Sequence, residues 1–240
     1  MTAATLSAAP ADVLAVYERA LIRAAAGGSA VLSLRNDLGG VYRVDPAPWC
    51  RPYLPGDAGL LARCGGPTLD VGCGPGRLTA VLNRLGCPAL GIDISAAAVR
   101  LARLRGATAL RRDVFGSLPG HGRWRNVLLA DGNIGIGGDP AVLLRRCRAL
   151  LDRDGRLHVE LARPGARSWA GEAVLSTAEG SGRGSTGHAE PPPDPAGDAA
   201  PLRWAVVAAD DLAPLAAAAA MRMLTTWTEA GRWFATLTTT

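Results

Sequence analysis

A chain of 240 residues, 48% hydrophobic and 20% charged, can fill the core of one domain with attachments, which excludes wholesale disorder. No apolar run approaches the roughly 18–20 residues of a membrane span, and Asp12 and Glu18 interrupt the first apolar residues, so no ordinary secretion signal is expected and the chain is expected to be soluble and cytoplasmic. The net charge of +5 rests on 26 arginines with no lysine, which reads as GC-rich codon usage more than as a surface selected for nucleic acid.

Taken in order, Val13, Leu14, Tyr17, Leu21 and Ile22 stand at helical spacing behind Asp12 and predict a helix over 11–26. Residues 30–44 read as a hairpin turning over Asn36 to Gly40. A proline-rich connector carrying Trp49 and Tyr53 follows, then a short helix at Leu60, Leu61 and Cys64. From residue 67 strands alternate with helices. The strand candidates are Thr68–Val71, Ala89–Asp93, Ala109–Arg112, Asn126–Ala130 and Arg156–Leu161, with helices at about 77–86, 96–105 and 140–151. That rhythm requires a parallel sheet with right-handed crossovers. After Leu161 the rhythm stops. Residues 176–201 hold no large apolar side chain and are expected to be a flexible insertion, either a lid or a solvated loop. A short strand at Arg203–Val207, a helix from Asp210 to about Ala220 and a final hairpin, Met223–Glu229 with Trp233–Thr238, complete the chain. The domain division expected is a helical and hairpin cap at 1–57 and a larger domain at 58–240. The five cysteines include no C-x-x-C pair, and no metal site is expected.

The informative segment is Leu69-Asp70-Val71-Gly72-Cys73-Gly74-Pro75-Gly76-Arg77, where a strand turns into a helix. Glycines there allow unusual dihedrals and close approach of a ligand to the backbone. The pattern is D-x-G-x-G-x-G. It is not a dinucleotide fingerprint, because Arg77 stands at the third glycine position, and a P-loop needs a lysine that the chain lacks. Asp93 ends the next strand, where a carboxylate can accept the two hydroxyls of a ribose. Asp113, with Val114 and Phe115, follows the strand after that. Three such signals at the ends of consecutive parallel strands make one ligand-binding edge.

On these motifs the chain, from about residue 58 to its end, resembles class I S-adenosylmethionine-dependent methyltransferases. The resemblance implies a Rossmann-like α/β three-layer sandwich with a seven-stranded sheet of order 3-2-1-4-5-7-6, its seventh strand antiparallel. It implies S-adenosyl-L-methionine as cofactor and S-adenosyl-L-homocysteine as product. Asp70, Gly72, Cys73, Gly74 and Gly76 would then hold the methionine part, Asp93 the ribose, Ile94 the adenine face, and Asp113 with Val114 the adenine edge. Asp131 falls where the family faces both cofactor and substrate, and the run Ala130–Pro140 also resembles a group of poorly characterised bacterial methyltransferases.

Asp131 and Glu160 are the candidate catalytic groups, as orienter or base. Trp49, Tyr53 and Asn133 are candidates for the substrate side, and His158 is expected to be a core histidine. The glycines at 135, 137 and 138 could bare amides for an anion or permit close packing against the cofactor. The expected acceptor is a small molecule or natural product, methylated at O, N or C, with neither membrane nor nucleic acid as partner. The alternatives are an RNA or protein methyltransferase, docking through the arginines of 97–112, and a non-catalytic cofactor-binding member.

Overall fold

Parallel strands are covered on both faces and therefore read as unbroken apolar runs. In a computed structural model, which describes residues 12–177 and 199–240, Thr68–Val71 (β3) is buried at every position, and Ala89–Asp93 (β4) and Trp124–Leu129 (β6) at most. Preceding them are a helix at Val13–Ala25 (α1), strands at Leu32–Asn36 (β1) and Val41–Val44 (β2), and a short helix at Asp57–Leu61 (α2). Asp12 caps α1 by accepting from the Leu14 N–H at 3.0 Å. Helices at Arg77–Arg84 (α3), Ala96–Leu104 (α4) and Pro140–Leu150 (α5) alternate with β3, β4, Ala109–Arg111 (β5), β6 and Leu151–Leu161 (β7). The chain continues through Trp169–Thr177 (β8), Ala199–Val206 (β9), Leu212–Ala218 (α6), Met221–Glu229 (β10) and Arg232–Thr239 (β11).

Seven strands form one sheet in the order β10-β11-β7-β6-β3-β4-β5. Numbered within that sheet and read from its other edge, this is the expected 3-2-1-4-5-7-6. β11 runs antiparallel to β7 and to β10, whereas β5, β4, β3, β6 and β7 are mutually parallel. Neighbouring residues of β6 serve opposite faces. Val127 and Leu129 join Leu143, Leu144, Leu212 and Leu237, while Leu128 and Ala130 join Leu60, Leu78, Leu82 and Phe234. The register brings the carboxyl ends of β3, β4, β6 and β7 level, with Asp70 opposite Gly91 and Leu128, and Leu129 opposite Val159. The residues following those ends therefore share one edge.

Four strands form a second sheet in the order β2-β1-β8-β9, with β1 antiparallel to β2 and β8. The chain divides into two units, residues 1–47 with 172–202, and 48–171 with 203–240. Residues 48–57 thus run with the larger unit. Three differences from the sequence reading stand out. β8 is a strand that the sequence reading missed, and β7 begins five residues earlier than the apolar run suggested. Residues 176–177 and 199–201, expected within the insertion, are strand; the rest of that insertion, 178–198, lies outside the described residues.

Candidate active site

The β3–α3 loop takes left-handed dihedrals at Gly72, Gly74 and Gly76, with φ of 69°, 53° and 78°. Side chains rarely adopt such values, which explains the spacing of the glycines. Asp93 sits beside this loop, accepting the Gly74 N–H on Oδ2 at 3.0 Å and the Ser95 N–H on Oδ1 at 2.9 Å. Its carboxylate thereby ties the tip of β4 to the glycine loop. Ser95 caps α4 by accepting from Ala98 N–H. Ile94, next in the chain, is exposed, and so is Phe115, after β5. Asp113 is exposed and accepts the Phe115 N–H at 2.9 Å, while Val114 is buried.

Two of the candidate cofactor residues face inward. Asp70 is buried and accepts from the Thr79 hydroxyl of α3 at 2.7 Å; burial raises its carboxyl to about 6. The Cys73 thiol is buried and, for the same reason, raised well above its ordinary range. Trp49 is half-buried, and the carbonyls of Trp49 and Cys50 accept from the Arg105 guanidinium at 3.1 and 2.6 Å, whereas Tyr53 is exposed.

At the ends of β6 and β7 the structure assembles an ionic cluster of which the sequence reading named two members, Asp131 and Glu160. The other three are Asp57 at the start of α2, Arg77 at the start of α3 and Arg232 at the start of β11. Arg77 pairs with Asp57 through Nη1 and with Asp131 Oδ2 through Nη2 at 2.5 Å. Arg232 donates to both Glu160 oxygens at 2.8 and 2.7 Å, to Asp57 Oδ1 at 2.8 Å and to Asp131 Oδ1 at 3.2 Å. Glu160 Oε2 also accepts the Asp131 N–H at 2.7 Å. Both Asp131 oxygens are thus held by guanidiniums.

Burial pushes the Asp131 carboxyl upward and Glu160 adds to this, against the pull of Arg77 and Arg232. Burial lowers Arg232, but Glu160, Asp57 and Asp131 outweigh it and leave that guanidinium above its ordinary value. Buried charges of this kind persist because they are paired. The Nε of Arg77 is buried without a hydrogen-bond partner among the described residues.

Asp131 and Gly132 are consecutive left-handed residues, φ 53° and 83°, and they turn the chain so that Asn133 reaches the tip of β3. There Asn133 Nδ2 donates to the carbonyls of Val71 and Gly72, both at 2.9 Å. The glycines that follow serve close packing. A side chain at Gly135 would meet the Ala205 carbonyl and the Trp204 indole, and one at Gly138 would lie 2.8 Å from Arg203 Cβ. Asp139 and Pro140 then cap and open α5, with Asp139 accepting from Val142 N–H at 3.0 Å.

The edge suits the cofactor implied by the sequence. A planar apolar ring carrying an amino group could use an exposed apolar side chain after β4, Ile94, and another after β5, Phe115, whose N–H is bound by the Asp113 carboxylate. Asp93, at the end of β4, accepts from the left-handed glycine loop that follows β3.

Residues 68–155 match the family model described as a methyltransferase domain. Together with the sheet order, this makes residues 68–155 similar to methyltransferase domains and gives the seven-stranded sheet the Rossmann-like methyltransferase fold. Among solved structures, the chain is similar to an S-adenosylmethionine-dependent methyltransferase from Bacteroides fragilis in complex with S-adenosyl-L-homocysteine. The identity is 20% over 97% of this chain and 98% of that chain, with a TM-score of 0.69. It is also similar to the 1,6-didemethyltoxoflavin-N1-methyltransferase of Burkholderia thailandensis (18% identity, 98% of each chain, TM-score 0.54). A third likeness is to the CcbJ methyltransferase of Streptomyces caelestis (16% identity, 76% of this chain and 88% of that one, TM-score 0.55). At these identities the likeness is one of fold. No curated protein sequence matches the chain.

Proposed function

We propose that this protein transfers a methyl group from S-adenosyl-L-methionine to a small-molecule acceptor. The observation that supports this reading is the contact of Asp93 with the glycine loop at Gly74, with Ile94 and Asp113 following the carboxyl ends of β4 and β5 in the same parallel sheet. In this reading the loop 72–76 holds the methionine part, Asp93 accepts the ribose hydroxyls, Ile94 and Phe115 flank the adenine, and Asp113 receives its amino group. When bound, the cofactor supplies a methyl group on a sulfonium, already an excellent leaving group. The protein's own task is then mostly to position the acceptor. Asp131 and Glu160 are engaged by guanidiniums on every carboxylate oxygen, so we assign them to holding the site's shape rather than to removing a proton. The Burkholderia thailandensis structure holds 1,6-didemethyltoxoflavin, which supports an acceptor of that size class.

One observation favours a macromolecular acceptor instead. Arg100, Arg103 and Arg111 line an open groove of about 550 Å³ with Val99 and the exposed Leu104. Several of the arginines of this region are already committed, however. Arg103 Nε donates to the Ala109 carbonyl, Arg111 Nε to the Ile94 carbonyl, and Arg105 to Trp49 and Cys50.

The deciding experiment incubates the protein and methyl-labelled cofactor with host extract split into small-molecule, RNA and protein fractions. Label in the small-molecule fraction is expected. Label confined to RNA or protein, at a rate falling steeply with salt, overturns the acceptor class.

A further inference from the structure

We propose that Arg232, at the far end of the sequence, is a positioning residue for the cofactor loop, acting through Asp131 and Asn133. The inference rests on reading that loop as the cofactor's seat. Arg232 enters β11 directly after the left-handed pair Ala230 and Gly231, φ 50° and 77°, which present its side chain at the end of the hairpin. From there one guanidinium reaches the ends of two further strands and the start of a helix. It holds Glu160 at the end of β7, Asp131 just past β6 and Asp57 at the start of α2, and it also donates to the Pro55 carbonyl at 3.2 Å.

Asp131 is gripped twice. Arg232 and Arg77 take its side chain, and Glu160, itself fixed by Arg232, takes its backbone N–H. This grip holds a non-glycine residue in the left-handed region, an uncommon conformation that the surroundings must impose. The turn it creates delivers Asn133 to the Val71 and Gly72 carbonyls. The fit leaves no spare room, since a Cβ at Gly72 would lie 2.7 Å from Asn133 Nδ2. Without the Arg232 guanidinium, three carboxylates would share the one cation of Arg77. Their repulsion would open the turn and release the clamp.

The test is titration calorimetry of S-adenosyl-L-homocysteine against the full chain, wild type and variants, with circular dichroism confirming native fold at the working temperature. Arg232→Met should weaken binding by about tenfold or more, as expected for losing buried charged hydrogen bonds, and Arg232→Lys should recover part of the loss. Asn133→Ala should also weaken binding. The double variant should bind no worse than the weaker single one, because both changes disable the same clamp. A general loss of stability would not produce that non-additivity. Binding by Arg232→Met within about twofold of wild type, where buried charged hydrogen bonds should matter, or additive losses in the double variant, overturn the proposal. If Arg232→Met does not fold, Glu160→Gln takes its place in the same cycle with the same two outcomes. Wild-type protein that binds no S-adenosyl-L-homocysteine overturns the cofactor reading itself, and this one with it.

Discussion

In the proposed reading Asp93 would join two tasks in one carboxylate, because the oxygens assigned to the ribose already order the glycine loop and the start of α4. Asp93→Ala should therefore remove charge-assisted bonds of roughly 1.5–3 kcal/mol each and weaken S-adenosyl-L-methionine binding by at least about tenfold. Calorimetry showing unchanged affinity would remove Asp93 from the site. Asp131 calls for a different expectation. A carboxylate acting as general base leaves an acidic limb in the pH–rate profile, and its loss lowers kcat by about 10²–10⁴-fold. Here both oxygens accept from guanidiniums and the backbone is part of the Asn133 turn. Asp131→Asn should accordingly lower turnover and cofactor affinity together and leave the pH–rate limbs where they were. An acidic limb that vanishes in the variant while affinity holds would restore Asp131 as a base.

At the scale of elements, the glycine run after β6 shows how two segments distant in sequence come to touch. Gly135 and Gly138 leave room for Arg203, Trp204 and Ala205. Gly135→Ala should push a methyl group against the Ala205 carbonyl and the Trp204 ring and destabilise the fold by about 1–3 kcal/mol. A melting temperature several degrees lower would show it. Gly65→Ala, with nothing within 4 Å of the added carbon, is the control and should be neutral. The parallel strands were legible because burial on both faces leaves a continuous apolar run, and the glycine loop because its dihedrals exclude other residues. β8 was missed because its inward positions include the small Ala173 beside Trp169 and Leu175, which blurs the period-two pattern. The first half of β7, Leu151-Asp152-Arg153-Asp154-Gly155, is polar enough to read as a turn. The ionic cluster was half legible. Asp131 and Glu160 announce themselves as carboxylates at strand ends, but their cations come from a helix start and from a strand 101 and 72 residues further on. One signal was available. Arg77 is a charged residue immediately after the last loop glycine, on a helix whose apolar face it shares, and such a residue must be paired if it is buried.

Across the whole sheet, two buried titratable groups oppose each other in their effect on stability. The register sets Asp70, Leu128, His158 and Thr236 in one transverse row on β3, β6, β7 and β11. His158 Nε2 meets Asn126 Oδ1 at 3.2 Å and Nδ1 meets the Thr236 hydroxyl at 2.9 Å. The Asn oxygen can only accept, so the ring is assigned as neutral with its proton on Nε2. Burial, with Arg63 and Arg156 nearby, lowers its pKa from 6.5 to about 4. The unfolded chain takes that proton first, so His158's contribution is intact above pH 6.5 and is lost as pH falls toward 4, about 3 kcal/mol in all. Asp70 works in the other direction. Its carboxyl is raised from 3.8 to about 6, so the folded chain takes this proton first. Stability is gained as pH falls from about 6 toward 3.8, again by about 3 kcal/mol. The two slopes nearly cancel. Urea unfolding of the cofactor-free wild type should therefore give a nearly level contribution from this row between pH 6.5 and 4.5. Asp70→Asn removes the compensating gain, so its stability should drop by about 2–3 kcal/mol over that interval relative to wild type. His158→Gln removes the loss, so its stability should rise on acidification by a similar amount relative to wild type. Parallel pH profiles for all three proteins would show that neither proton distinguishes the folded chain from the unfolded one.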